Sequence, residues 1–184
     1  MTATAPLNFV ASLTHPKAIS LEPHWYALYT SARHEKRVAE HLCQRSTEYF
    51  LPLYQSVRRW KDRKVVLQLP LFPGYVFVRI ATRDRLDVLR VPGVSRLVGF
   101  DSSPAALPDE EIETIRAALA RGVHAEPHRA LAAGQRVFVR SGPMTGLRGI
   151  LQRRKSRSRL IVSLEFIQRA MAVEIDESDI EPAA

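Results

Sequence analysis

Residues 70–78, Pro-Leu-Phe-Pro-Gly-Tyr-Val-Phe-Val, constrain this chain more than any other stretch. A Pro-Gly pair sets a tight turn, because proline fixes φ at about −65° and glycine reaches positive φ without a Cβ clash. Directly behind it comes a β-branched and aromatic segment with strand periodicity. Alternation puts Tyr75, Phe77 and Arg79 on one face, and Val76, Val78 and Ile80 on the other. The valine face reads as ordinary core. The aromatic face also needs a cover, and the pattern fits two covers equally well: another layer of the same domain, or another protein.

The elements around this strand define a layered domain. Residues 25–29 (Trp-Tyr-Ala-Leu-Tyr) read as a buried strand. Ser31 is placed to cap a helix over 32–45, with Val38, Ala39, Leu42 and Cys43 on its apolar side. Residues 49–60 read as a strand, 61–64 as a charged turn and 65–69 as a further strand. A short helix over 84–90 stops at Pro92-Gly93, and 94–100 is again extended. The clearest helix spans 108–120, with Ile112, Ile115 and Leu119 at i, i+3 and i+7, acids in its first turn and Gly122 to end it. This order predicts an α+β sandwich in which helices cover a mostly antiparallel sheet.

The pattern changes after Gly122. Residues 123–133, with Pro127 and two histidines, read as a flexible linker. From Gly134 onward, short β-rich runs at 136–140, 149–153, 160–164 and 170–175 alternate with turns, which suggests a small barrel. The expected organisation is therefore a leader over 1–23, a sandwich domain over 24–122, the linker, and a barrel over 134–184.

Charge narrows the function classes. The formal net charge of +8 points toward an acidic partner such as nucleic acid. Arg58, Arg59, Lys61, Arg63 and Lys64 crowd one segment, and Arg153, Arg154, Lys155, Arg157 and Arg159 crowd another. No apolar run approaches the ~20 residues that span a bilayer, and no basic residue precedes the apolar stretch at 7–13, so the reading is a cytoplasmic protein without a membrane partner. Cys43 is the single cysteine, which excludes an internal disulfide and a cysteine metal cage. The sequence 142–146 (Gly-Pro-Met-Thr-Gly) lacks the Gly-Lys-Ser/Thr ending of a phosphate loop, and Pro143 has no N–H to offer. Pro127 lies between His124 and His128, and no cysteine sits at ligand spacing. The expectation is no catalytic residue, no metal and no cofactor.

The aromatic strand behind Pro73-Gly74, the segment Trp25–Tyr29, and the glycines 142, 146 and 149 after Val137-Phe138-Val139 occur in an order that resembles the NusG family of transcription elongation factors. The resemblance implies an NGN-type α/β sandwich followed by an SH3-like KOW barrel. It implies that Tyr29, Phe72, Pro73, Tyr75, Phe77 and Phe100 form an apolar pocket for the clamp helices of the RNA polymerase largest subunit. It places Arg37 and His41, on the first helix, near the non-template DNA strand. Arg58, Arg59, Lys61, Arg63 and Lys64 then become a hairpin tip that attracts nucleic acid without sequence preference. Phe166 and Ile167 correspond to the barrel contact offered to ribosomal protein S10 or to Rho, and a barrel-core role fits them equally. The expected protein is a monomeric, non-catalytic regulator that suppresses pausing and termination. The Pro70-Leu71-Phe72-Pro73 form is similar to specialised RfaH-, UpxY- and LoaP-like paralogues. A housekeeping factor and a ribosome- or RNA-binding KOW module remain the alternatives.

Overall fold

The computed structural model describes residues 21–59, 63–100, 103–129, 134–154, 157–164, 167 and 169–183. The first half builds a four-stranded antiparallel sheet from β1 (His24–Thr30), β2 (Tyr49–Phe50), β5 (Tyr75–Ile80) and β6 (Val94–Leu97), in the order β2-β5-β1-β6. Between β2 and β5 the chain leaves the sheet as a separate hairpin, β3 (Leu53–Arg59) and β4 (Lys64–Pro70). A short pair, β7 (Gly99–Phe100) and β8 (Ser103–Pro104), follows β6.

Three helices cover the sheet. On one face α1 (Glu35–Gln44) and α2 (Arg85–Leu89) meet the valine side of β5. Val38, Leu42 and Val88 pack there with Tyr26, Leu28, Val76, Val78 and Ile80. On the opposite face α3 (Asp109–Ala120) lays Ile112, Ile115 and Ala118 against Trp25, Ala27 and Phe77. The two faces inferred from β5 alternation are thus two separate cores. Acids Asp109, Glu110 and Glu111 occupy the first turn of α3, where the helix dipole favours them. Gly122, at φ +83°, ends the helix in a conformation that few other residues tolerate.

The second half forms a six-stranded antiparallel β-barrel sheet, ordered β14-β10-β11-β12-β13-β9. Its strands are β9 (Ala125–Arg129), β10 (Gln135–Val139), β11 (Arg148–Arg154), β12 (Arg157–Leu164), β13 (Arg169–Glu174) and β14 (Ile180–Pro182). Gly149 is needed for close packing: a Cβ there would lie 2.6 Å from the Ile161 carbonyl oxygen across the ladder. The barrel core is not isolated. One buried cluster runs from Trp25, Phe72, Tyr75, Ile112 and Ile115 into Val137, Met144, Leu160 and Met171.

Three sequence expectations change here. Residues 125–129 are a strand paired with β13 rather than linker. Pro127 lies opposite Met171 on a strand at the end of the sheet order, where a missing N–H can face away from the ladder. Residues 130–133 of that expected linker lie outside the described residues. Helix α1 starts at Glu35, three residues later than its expected first residue, and its N-cap is His34, with no side-chain capping bond from Ser31. The Ser31 amide instead donates to the Gly93 carbonyl at 2.8 Å, and Arg33 turns the chain at φ 64°. The helix buries Glu35, Val38, Ala39 and Leu42 and leaves Cys43 exposed, so Cys43 is not a core residue.

Candidate functional site

The turn before β5 is held from two directions. The Gly74 amide donates to the Glu35 carboxylate at 2.8 Å, and the Gly74 carbonyl accepts from the Thr30 amide at 2.9 Å. Tyr75 closes the turn by donating from its amide to the Phe72 carbonyl at 3.1 Å. Gly74 sits at φ +86°, and a Cβ there would meet the Tyr29 ring at 3.4 Å. The positive φ is what requires glycine here, since a Cβ would make only an ordinary contact with Tyr29. Glu35, only 6% exposed, is a buried carboxylate whose hydrogen bond ties α1 to this turn.

The aromatic face has a buried end and an open end. Tyr29 and Tyr75 are direct partners across the β1–β5 ladder, with ring centroids 5.4 Å apart. Tyr29 is 38% exposed, Pro73 is exposed, and the Arg96 guanidinium lies 5.4 Å from the Tyr29 ring centroid. Further along, Phe72 and Phe77 meet edge to face at 5.7 Å and are fully buried. Of the six residues expected in an open pocket, Phe72 and Phe77 are therefore core, because α3 covers that end of the sheet. Tyr75, at 8% exposure, sits at the boundary. The Arg169 guanidinium from β13 lies 5.9 Å above its ring, so the barrel supplies part of its cover. Phe100 enters β7, and its side chain lies outside the described residues.

The expected nucleic-acid residues divide into two groups. Arg37 is exposed on α1. His41 is half-buried, and its Nε2 is enclosed with no hydrogen-bond partner, so that nitrogen does not face an incoming strand. Arg58, Arg59, Arg63 and Lys64 are all exposed around the end of the β3–β4 hairpin, while Lys61 lies outside the described residues. In the barrel, Ile167 is 3% exposed and belongs to the core, which favours the core role over the open contact that the resemblance implied. Phe166 lies outside the described residues.

Sequence reasoning missed the interior bonding at Glu35 and the stacking of Arg116. Arg116 lies 5.6 Å from the Trp25 ring centroid and 5.9 Å from that of Phe50, with its charge paired to Glu48 at 3.0 Å. Beside α1, burial pushes the Tyr49 hydroxyl above its ordinary pKa, and the Cys43 thiol adds to the shift.

Residues 23–116 match the family model described as "Transcription termination factor nusG". A "Transcription termination/antitermination protein NusG" from Escherichia coli (strain K12) is 30% identical over 180 residues, covering 86% of this chain and 96% of the relative. The chain belongs to the NusG family. The NusG protein of the same description from Rickettsia prowazekii (strain Madrid E) is 28% identical over 172 residues, covering 85% of this chain and 88% of the relative. A solved structure titled "Domain interaction in Thermotoga maritima NusG" matches 89% of this chain and 98% of its own at TM-score 0.57 and 21% identity, which supports the shared fold. NusG proteins are non-catalytic transcription factors, and this chain is a transcription regulator of that family. Among the described residues, no helix is long and apolar enough to cross a membrane.

Proposed function

We propose that this NusG-family protein binds the elongating RNA polymerase through Tyr29, Pro73 and Tyr75 and suppresses pausing and termination. The observation that carries this reading is the open end of the aromatic face, set on a turn fixed by Glu35 and Thr30. Aromatic side chains on a preorganised backbone bury much apolar area with little entropy left to lose. The tip of a helical coiled coil, such as the clamp helices of the polymerase largest subunit, supplies matching apolar side chains. Phe72 and Phe77 act beneath this surface by holding the tyrosines in place, and Phe100 belongs to the adjoining strand pair.

The barrel recruits a second factor, ribosomal protein S10 or Rho, with Phe166 as the proposed contact. With Arg169 over Tyr75, the barrel also covers part of the polymerase surface. Polymerase binding therefore requires the barrel to move off, and a short tether would keep it at an effective concentration of about the mM range. Arg37 faces the non-template strand.

The Pro70-Leu71-Phe72-Pro73 form supports an operon-specific antiterminator. The names of the curated relatives favour a second reading, a general factor acting in both termination and antitermination. A pull-down of elongation complexes with and without a cognate leader sequence distinguishes them. Leader-dependent recovery of the full chain supports the antiterminator, and equal recovery supports the general factor. Loss of recovery for both templates on Tyr29→Ala is expected in either case. Retention by that variant would remove the proposed polymerase site.

A further inference from the structure

The β3–β4 hairpin has two faces of different chemistry. Register pairs Gln55 with Gln68, Val57 with Val66, and Arg59 with Lys64. All six side chains point to the same face and all six are exposed. The opposite face pairs Tyr54 with Leu69, Ser56 with Leu67, and Arg58 with Val65; apart from Arg58 these are half-buried, and Tyr54 packs on the main core. The base is closed by the Leu71 amide donating to the Pro52 carbonyl at 2.8 Å. The ribbon thus stands on the body by one face and presents the other to solvent.

Two features of the outward face are unfavourable without a partner. Arg59 and Lys64 are like charges directly across a ladder, an arrangement that destabilises a strand pair, and no carboxylate pairs with either among the described residues. Val57 and Val66 are 64% and 57% exposed and form an apolar rung between polar ones. An anionic partner with apolar groups set inside its rim resolves both.

The geometry points to duplex DNA as that partner, with the outward face of the hairpin entering the major groove. The B-DNA major groove, about 12 Å wide, admits a two-stranded ribbon. Successive rungs on one face are spaced about 7 Å apart, so with that face laid in the groove the three rungs follow one another along it. The cations of Arg59 and Lys64 meet phosphates. The methyls of Val57 and Val66 meet thymine C5-methyl groups. The amides of Gln55 and Gln68 can each form a bidentate pair with adenine N6 and N7. Single-stranded nucleic acid is a poorer fit, since it is held on aromatic stacking platforms and, among the described residues, this face has no aromatic ring. Double-stranded RNA is also a poorer fit, because its major groove is too narrow for side chains to read.

Fluorescence anisotropy on the full chain with labelled 20-base-pair duplexes tests this without any polymerase, so the outcome is independent of the polymerase reading. Binding to an A·T-rich DNA duplex should exceed binding to either single strand and to the equivalent RNA duplex by at least tenfold. Replacing thymine by deoxyuridine, which removes only the methyl, should weaken binding about threefold per contacted methyl. Val57→Ser with Val66→Ser should abolish that sensitivity. Arg59→Ala with Lys64→Ala should lower the log–log salt slope by about 1.8. Circular dichroism checks that these exposed substitutions leave the fold intact. Equal affinity for single strands or RNA duplex, indifference to deoxyuridine, or preference for an acidic polypeptide over DNA would each overturn the proposal.

Discussion

At the Pro73-Gly74 turn, exposed side chains stand on backbone already fixed by the core. On the β3–β4 hairpin they stand on two strands that pair only with each other. The first region has Phe72 and Phe77 buried beneath it, a carboxylate bonded to the turn amide, and a glycine at positive φ. The second has alternating exposure along both strands and no ladder partner beyond itself. Both surfaces are suited to binding, but for different reasons. A preorganised aromatic patch favours a shaped protein partner, because little ordering remains to be done. A charged ribbon favours a partner whose attraction acts at a distance and tolerates variation in position. The contrast also separates stability from binding. Substitutions beneath the turn should change both, and substitutions on the hairpin should change binding alone.

The largest expected effect lies beneath the turn. Phe77→Ala removes a fully buried ring and should cost about 3–5 kcal/mol in urea unfolding. Val57→Ala, on the hairpin, should stay within about 0.5 kcal/mol of wild type. A similar cost at both positions would remove the distinction. Next comes Tyr29→Ala, which should weaken polymerase binding roughly thirtyfold, the effect of about 2 kcal/mol at an interface centre. Its urea midpoint should move little, because the ring is partly exposed.

Glu35→Ala leaves the Gly74 amide without its acceptor and should cost about 1–3 kcal/mol of stability, with faster hydrogen exchange at that amide. Glu35→Gln keeps a neutral acceptor and should recover part of both. Unchanged exchange in Glu35→Ala would show that the turn is fixed by other contacts. The smallest effect is expected at the boundary of the two halves. Arg169→Ala removes a cation–π contact worth about 0.5–1 kcal/mol, and should raise polymerase affinity two- to fivefold by freeing Tyr75. Reduced affinity instead would mean that Arg169 belongs to the polymerase contact itself.

The parts of the fold legible in the sequence are those set by local periodicity. Alternation in β5 separated its two faces but left open whether the aromatic one was core, and the i, i+3, i+7 spacing with first-turn acids located α3. The parts missed depend on contacts distant in sequence. Ser31 has a capping side chain, but Arg33 at φ 64° breaks the helical backbone between it and Glu35, where the helix starts. Pro127 reads as linker unless the strand is known to lie at the end of a sheet. Glu35 is an acid in a first helical turn, a pattern that usually means a solvated group near the dipole. Only the fold brings it to Gly74.

The candidate site was legible in composition more than in exposure. Tyr29, Pro73 and Tyr75 do come together with Phe72 and Phe77, but which of the five remain accessible depends on how far α3 extends over the sheet. For the hairpin, the cations were evident from the sequence. The rungs they form depend on register, which alternation alone does not fix.

The most direct test of the account is a titration of the isotope-labelled full chain with a coiled-coil fragment of the polymerase clamp helices, followed by amide NMR. The prediction is that the amides of Tyr29, Gly74, Tyr75 and Arg96 shift together and saturably, while those of Val57 and Val66 stay in place. Saturable shifts centred on the hairpin, with the Gly74 turn unmoved, would contradict it.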